Sequence, residues 1–257
     1  MSAVLFLPPP GPDDGLGLPA ADQPAWAPAG ASGPAAPAPA PPLIVYRVAV
    51  TDTAATAPLA ALLGLLTPAE RARAARYRLA ADRARFVVGR ASLRYLLGQR
   101  LGLVPAAVPL TVNAFGKPQL PAPAGGQLHF NVAHSGAWVL LALSALPVGI
   151  DLEKWDPDFD FAAVAAHCFS PAERRYLYLS PVPRAAFYTL WTRQEAWVKA
   201  TGRGLSDDAG PPPAAHWTVR SFEAAPGYPA ALAYPAGWQP AVWFSDFDAG
   251  LLEGLPG

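Results

Sequence analysis

Thr67-Pro-Ala-Glu-Arg71 and Ser170-Pro-Ala-Glu-Arg174 are one helix opening written twice. Each carries a hydroxyl residue at the N-cap, proline at the first helical position and glutamate where a capping box closes. Each is followed by a second helical stretch centred on phenylalanine, Arg83-Ala-Arg-Phe-Val-Val-Gly89 and Arg184-Ala-Ala-Phe-Tyr-Thr-Leu190. One capping box means little. Two in corresponding places predict a duplicated α+β half, with a ligand site where the halves meet.

Working outward, strand patterns flank both helical pairs. Leu43 to Val50 is the first strand. Leu128 to His134, a Ser135-Gly136 turn and Ala137 to Ser144 read as a hairpin, and Val148 to Glu153 as a short strand. Beyond the second pair, Trp217 to Glu223, Ala230 to Tyr234 and Ala241 to Phe244 fit an antiparallel sheet. The expected fold is α+β, two similar halves forming a pseudo-dimer over residues 43–148 and 149–245, with 246–257 a short C-terminal tail. Residues 1–42 hold 12 of the 32 prolines amid alanine and glycine. Such a composition buries too little to offset its ordering entropy, so a disordered Pro/Ala-rich tail is expected there.

Bulk properties exclude several classes. Apolar residues make up 52% of the 257, enough for a sizeable core, and the formal net charge of zero gives no global attraction to nucleic acid or membrane. The single cysteine, Cys168, excludes an intrachain disulfide and a multi-cysteine zinc site. No basic residue precedes the short apolar run Val4 to Leu7, so it is not read as a signal peptide, and Trp138 to Ile150 is too short to span a bilayer. The expectation is a cytoplasmic monomer with no membrane and no nucleic-acid partner.

Asp151-Leu152-Glu153 is the first candidate site. On a strand, positions i and i+2 share a face, so the two carboxylates project together and repel unless a cation sits between them. Magnesium does this when phosphate oxygens and water complete its shell; a solvated strand edge is the alternative. Glu195 and Lys199, in Trp191-Thr-Arg-Gln-Glu-Ala-Trp-Val-Lys199, share a helix face at i, i+4 and taken alone would be an ordinary surface ion pair. His134 ends a strand before a tight turn, and Lys117 sits in the turn Phe115-Gly-Lys-Pro118. Eight arginines fall between Arg71 and Arg94, a pattern that also fits a solvated helix face.

In chain order, Gly116-Lys-Pro118, Asn131-Val-Ala-His-Ser-Gly136, Gly149-Ile-Asp-Leu-Glu153 and Trp191 to Lys199 resemble the motif series of 4′-phosphopantetheinyl transferases of the surfactin-synthetase-activating type. The resemblance spans roughly residues 43 to 245. It implies transfer of the phosphopantetheine arm of coenzyme A to a serine of an acyl or peptidyl carrier protein, releasing adenosine 3′,5′-bisphosphate, in the broad type that serves polyketide and peptide synthetases. It also implies Mg²⁺ on Asp151, Glu153 and Glu195, with Lys199 on the pyrophosphate. His134 and Arg85 then lie near the 3′-phosphate, assisted by Arg73 and Lys117. Glu195 is the expected general base, so the catalytic pair is Glu195 and Lys199. Two departures stand out: Ala133 replaces the serine the family usually has before the motif histidine, and Gln194 replaces a lysine before the third carboxylate. Both are expected to face the coenzyme and weaken anion binding. The alternative is a non-catalytic protein that binds coenzyme A or a carrier domain.

Overall fold

The computed structural model describes residues 21–28, 42–50, 57–122, 126, 128–202, 215–252 and 255. In chain order the elements are β1 (Leu43–Ala49), α1 (Ala57–Gly64), α2 (Pro68–Ala75), α3 (Ala80–Leu101), β2 (Thr111–Val112), β3 (Pro118–Gln119), β4 (His129–Ser135) and β5 (Trp138–Ser144). They continue with β6 (Gly149–Leu152), α4 (Ala162–Cys168), α5 (Pro171–Leu179), α6 (Pro183–Thr201), β7 (Trp217–Ala225), β8 (Tyr228–Pro235) and β9 (Val242–Phe247). The fold is α+β in two units, one of Ala25–Pro147 with Pro240–Gly257, the other of Met1–Pro24 with Val148–Gln239. No helix among the described residues is long and apolar enough to cross a membrane.

Both capping boxes form. Thr67 Oγ1 accepts from Glu70 N at 3.3 Å while Thr67 N donates to Glu70 Oε2 at 2.9 Å, and Ser170 with Glu173 repeats both bonds at the same distances. The repeat extends one residue further. Arg71 donates to the carbonyls of Leu66 and Leu63, five and eight residues back, and Arg174 does the same to Phe169 and Ala166. A guanidinium therefore closes the loop before each helix in the same way.

In the first unit the sheet order is β4-β5-β1-β9. Ile44, Tyr46 and Val48 alternate along β1 to one face, where with Val139, Leu141 and Leu143 of β5 they meet Phe86, Val87, Leu93 and Leu97 of α3 in a single core. The period-2 pattern of the strands and the long apolar stripe of α3 dictate this packing. β9 lies parallel to β1, with Val45 opposite Phe244. This corrects the expected antiparallel place of Ala241 to Phe244 in the second half: the last strand belongs to the first unit. Arg47 fixes it with a two-point ion pair to Asp246 at 2.7 and 3.0 Å.

In the second unit β6, β8 and β7 form an antiparallel sheet in that order, covered by α6. Ala196 and Ala200 of α6 pack on Ala231 and Ala233 of β8. Small side chains on both sides let the helix lie close. Gly149 takes this to its limit: a Cβ there would stand 1.9 Å from the Ala196 carbonyl and 2.4 Å from the Ala200 nitrogen. A separate aromatic cluster surrounds the fully buried Phe187, with Phe161, Phe169, Tyr188 and Trp191 at ring distances of 5.0 to 6.2 Å.

The Pro/Ala-rich tail also needs correction over residues 21–28. Asp22 bridges to Phe222 on β7, and its carboxylate pairs with Arg220. Ala27 exchanges backbone hydrogen bonds with Phe244 and Asp246 on β9, at 3.0 and 2.8 Å. Trp26 sets its ring edge-on to Phe244 at 5.1 Å and lies under the Arg47 guanidinium at 4.2 Å. Each attachment extends a sheet edge that would otherwise leave backbone groups unpaired. The rest of residues 1–42, apart from Pro42, lies outside the described residues.

Candidate active site

Lys199 and Asp151 pair where α6 crosses β6, and Glu153 and Glu195 lie near enough to act on them. Gly149 and Asp151 share the strand face turned to the helix, and the missing Gly149 side chain lets α6 descend until Lys199 reaches Asp151. The Lys199 Nζ donates to Asp151 Oδ1 at 2.6 Å. The Asp151 side chain is only 5% exposed, and its Oδ2 is buried with no hydrogen-bond partner. Glu153 and Glu195 are half-buried and close enough to act on both members of the pair.

The electrostatics follow from this burial. Desolvation pushes the Asp151 carboxyl up to about 7, against the downward pull of Lys199, and Glu153 and Glu195 add to the rise. Glu195 is raised by burial, opposed by Lys199 and reinforced by Glu153. Burial alone would lower Lys199, but Asp151, Glu195 and Glu153 together hold it above the ordinary lysine value. These directions are compatible. The ion pair is attractive, yet it does not recover what the carboxylate loses on leaving water.

An all-oxygen donor set with one orphaned buried oxygen has the chemistry a magnesium ion takes. As placed, however, no three His, Cys, Asp or Glu side chains among the described residues converge closely enough to hold a metal. The Lys199 ammonium stands in the cation's electrostatic role. A cleft of about 320 Å³ opens beside Glu153, walled by Phe159, Val164, Phe187, Tyr188 and Trp191. Sequence reasoning assigned no role to this wall, although Phe187 and Trp191 at i, i+4 mark one helix face.

The remaining candidates lie in the first unit. Arg85 donates to the Gly136 carbonyl at 2.9 Å and pairs with Asp82, so it is anchored at the β4–β5 turn two residues from the exposed His134. The φ of +53° at Gly136 is what lets the turn close there. Arg73 is exposed on α2, with its guanidinium 5.1 Å from the centre of the Phe86 ring. Lys117 is half-buried, lowered to about 8 by desolvation, and its charge acts on His129. His129 and His134 are separated by about 16 Å of strand, so Lys117 serves the opposite end of β4.

Both expected departures face elsewhere. Gln194 is 3% exposed, and its amide donates to the Cys168 carbonyl at 3.2 Å, tying α6 to the end of α4. Ala133 is 3% exposed and on the other face of β4 from His134. Neither is a surface position where a ligand contact has been lost.

A two-half α+β chain with an acidic strand and a Glu/Lys helix face defines a class, and comparison with known proteins identifies it. A family model described as the 4′-phosphopantetheinyl transferase superfamily matches residues 147–237, and one for the N-terminal part of a 4′-phosphopantetheinyl transferase matches residues 53–146. The chain is 33% identical over 201 residues to 4′-phosphopantetheinyl transferase HetI of Nostoc sp., covering 71% of this chain and 84% of that protein. It is 35% identical over 127 residues to a 4′-phosphopantetheinyl transferase of Bacillus subtilis (49% and 55% of the two chains). With 4′-phosphopantetheinyl transferase Sfp of Bacillus subtilis (strain 168) it shares 30% over 146 residues (56% and 63%). The matched stretch thus spans little more than half the length of the Bacillus proteins. The chain belongs to the 4′-phosphopantetheinyl transferase superfamily.

Proposed function

We propose that the protein transfers the 4′-phosphopantetheine arm of coenzyme A to a serine of an acyl or peptidyl carrier protein, converting the apo carrier to its holo form. The observation that carries this reading is the buried Lys199–Asp151 pair with Glu153 and Glu195 acting on it, the four residues that the motif resemblance assigns to the reaction centre. A purely anion-binding protein would be harmed by three carboxylates at that point.

Asp151, Glu153 and Glu195 would hold Mg²⁺, which when bound neutralises charge on the pyrophosphate. Lys199 donates its ammonium protons to the same phosphate oxygens and so stabilises charge building on the departing phosphate. Glu195 takes the proton from the serine hydroxyl, directly or through a water. The serine oxygen bonds to the β-phosphorus as the bridging P–O bond breaks, and the electron pair leaves with adenosine 3′,5′-bisphosphate. His134 and Arg85 hold the 3′-phosphate, with Arg73 adding positive charge around it, while Lys117, at the far end of β4, stays outside this group. The aromatic wall beside Glu153 offers an apolar lining to the uncharged arm. The enzyme is proposed to act as a monomer in the cytoplasm.

The test is incubation of the full chain with coenzyme A, Mg²⁺ and an apo carrier domain, read by intact mass. The expected result is a gain of one phosphopantetheine per carrier, lost when Mg²⁺ is chelated and lost in Asp151→Ala. Coenzyme A binding without any transfer to several carrier domains would instead favour a non-catalytic binder.

A further inference from the structure

We infer that Lys199 is an exchangeable counter-cation: without coenzyme A it occupies Asp151 and opposes metal loading, and arrival of the pyrophosphate draws it off. This rests on the proposed function and adds an order of events to it. Asp151 cannot follow solvent, since its side chain is 5% exposed and rooted on a buried strand. Lys199 can, because its side chain is 30% exposed on a long flexible stem. Of the two partners in the 2.6 Å contact, the lysine is therefore the one able to leave.

What it leaves behind is a carboxylate with neither oxygen hydrogen-bonded, since the buried Oδ2 already has no partner. While the ammonium stays, a divalent ion approaching Asp151 meets a positive charge at hydrogen-bond distance from the same group, and the two cations repel. Once the ammonium turns to phosphate oxygens, the ammonium and the metal ion are both attracted to the same anion, which outweighs their mutual repulsion. Lys199 therefore acts with opposite sign in the two states. It weakens metal binding to the free protein and strengthens the ternary complex. A lysine serving only as structural support for α6 would not change sign.

The experiment titrates Mn²⁺ into the full chain by electron paramagnetic resonance, with and without coenzyme A, for wild type, Lys199→Met, Lys199→Gln and Lys154→Met. Lys154, exposed on the rim of the same cleft, controls for loss of a nearby positive charge. Without coenzyme A, both Lys199 variants should bind Mn²⁺ about tenfold or more tighter than wild type, the loss of one charge-assisted contact. With coenzyme A they should bind it more weakly than wild type. Lys154→Met should stay within about twofold of wild type, as an exposed charge in high dielectric does. If the Lys199 variants bind Mn²⁺ no tighter without coenzyme A, or Lys154→Met matches them, the exchange is refuted while the metal reading stands. If no form binds Mn²⁺ even with coenzyme A, both are refuted. Should Lys199→Met and Lys199→Gln both unfold, Lys199 is a fixed structural counter-ion, and the exchange is again refuted.

Discussion

Replacing Gly149 with alanine tests the packing that assembles the site. The new Cβ would lie 1.9 Å from the Ala196 carbonyl oxygen, 2.4 Å from the Ala200 nitrogen and 2.9 Å from the Ala200 Cα. All three are helix backbone, so no rotamer change relieves the clash. To restore ordinary contact α6 must retreat by about 1 Å, and overpacking of this kind costs about 1–3 kcal/mol. In a chain of this size that lowers Tm by several degrees, about 2–4 °C per kcal/mol. The same retreat lengthens the 2.6 Å Lys199–Asp151 contact and displaces Glu195 with it. A 1 Å misplacement of reacting groups costs about 100-fold in rate, so kcat for carrier modification should fall far more than stability explains. Thermal unfolding and carrier modification would be measured side by side with Gly64→Ala, where an added Cβ meets nothing within 4 Å. A Gly149→Ala protein with wild-type Tm and turnover would refute the account of how the helix is seated.

Burial holds Asp151 near 7 in the fold, above the ordinary carboxylate value of the unfolded chain, so the fold binds the extra proton. That contribution to stability is full below about pH 4 and disappears as pH rises through 7. With metal chelated, Asp151→Asn should therefore gain on wild type between pH 5 and 8, by at most about 4 kcal/mol; parallel Tm–pH curves would contradict this. Gln194→Lys should leave the KM for coenzyme A unimproved and lower stability by about 1–3 kcal/mol, because it replaces a buried amide bonded to Cys168; an improved, salt-sensitive KM would show that the residue reaches the coenzyme. Trp26→Ala should cost about 1–2 kcal/mol in urea unfolding, from the lost Phe244 and Arg47 contacts, and an unchanged midpoint would return this segment to a passive tail. Arg85→Ala should raise KM for coenzyme A but not for its dephospho form, and an equal rise for both would remove Arg85 from the 3′-phosphate.

Local rules were legible in the sequence, and partner choices were not. The two capping boxes are set by residues three apart, so Thr67–Glu70 and Ser170–Glu173 could be read directly. The i, i+2 rule put Asp151 and Glu153 on one face, and the i, i+4 rule did the same for Glu195 and Lys199. That Lys199 rests on Asp151 depends on how deeply α6 seats on Gly149, a tertiary distance with no local signal beyond the glycine itself. Gln194 was misplaced by its motif: next to Glu195 on a helix it points about 100° away, toward α4. Ala133 was misplaced in the same way by strand alternation. β9 was seen as a strand, but alternation carries no record of which neighbour it chooses. The Pro/Ala composition of residues 1–42 hid a short stretch in which one tryptophan, one aspartate and extended backbone suffice to dock.

The parallel pairing of β9 with β1 makes the first half of this protein discontinuous in the chain. A ribosome releasing residues in order would deliver β1, α3 and β5 long before the strand that closes their sheet, so the first half to be synthesised is among the last to be finished. Until then β1 presents an open edge, a template for other strands. Cutting the gene between residues 147 and 148 would therefore not yield two independent halves. It would strand the 240–257 segment on the wrong fragment and leave Arg47 without Asp246. Whatever duplication produced the two helix openings, the present chain is stitched so that neither copy can be inherited alone.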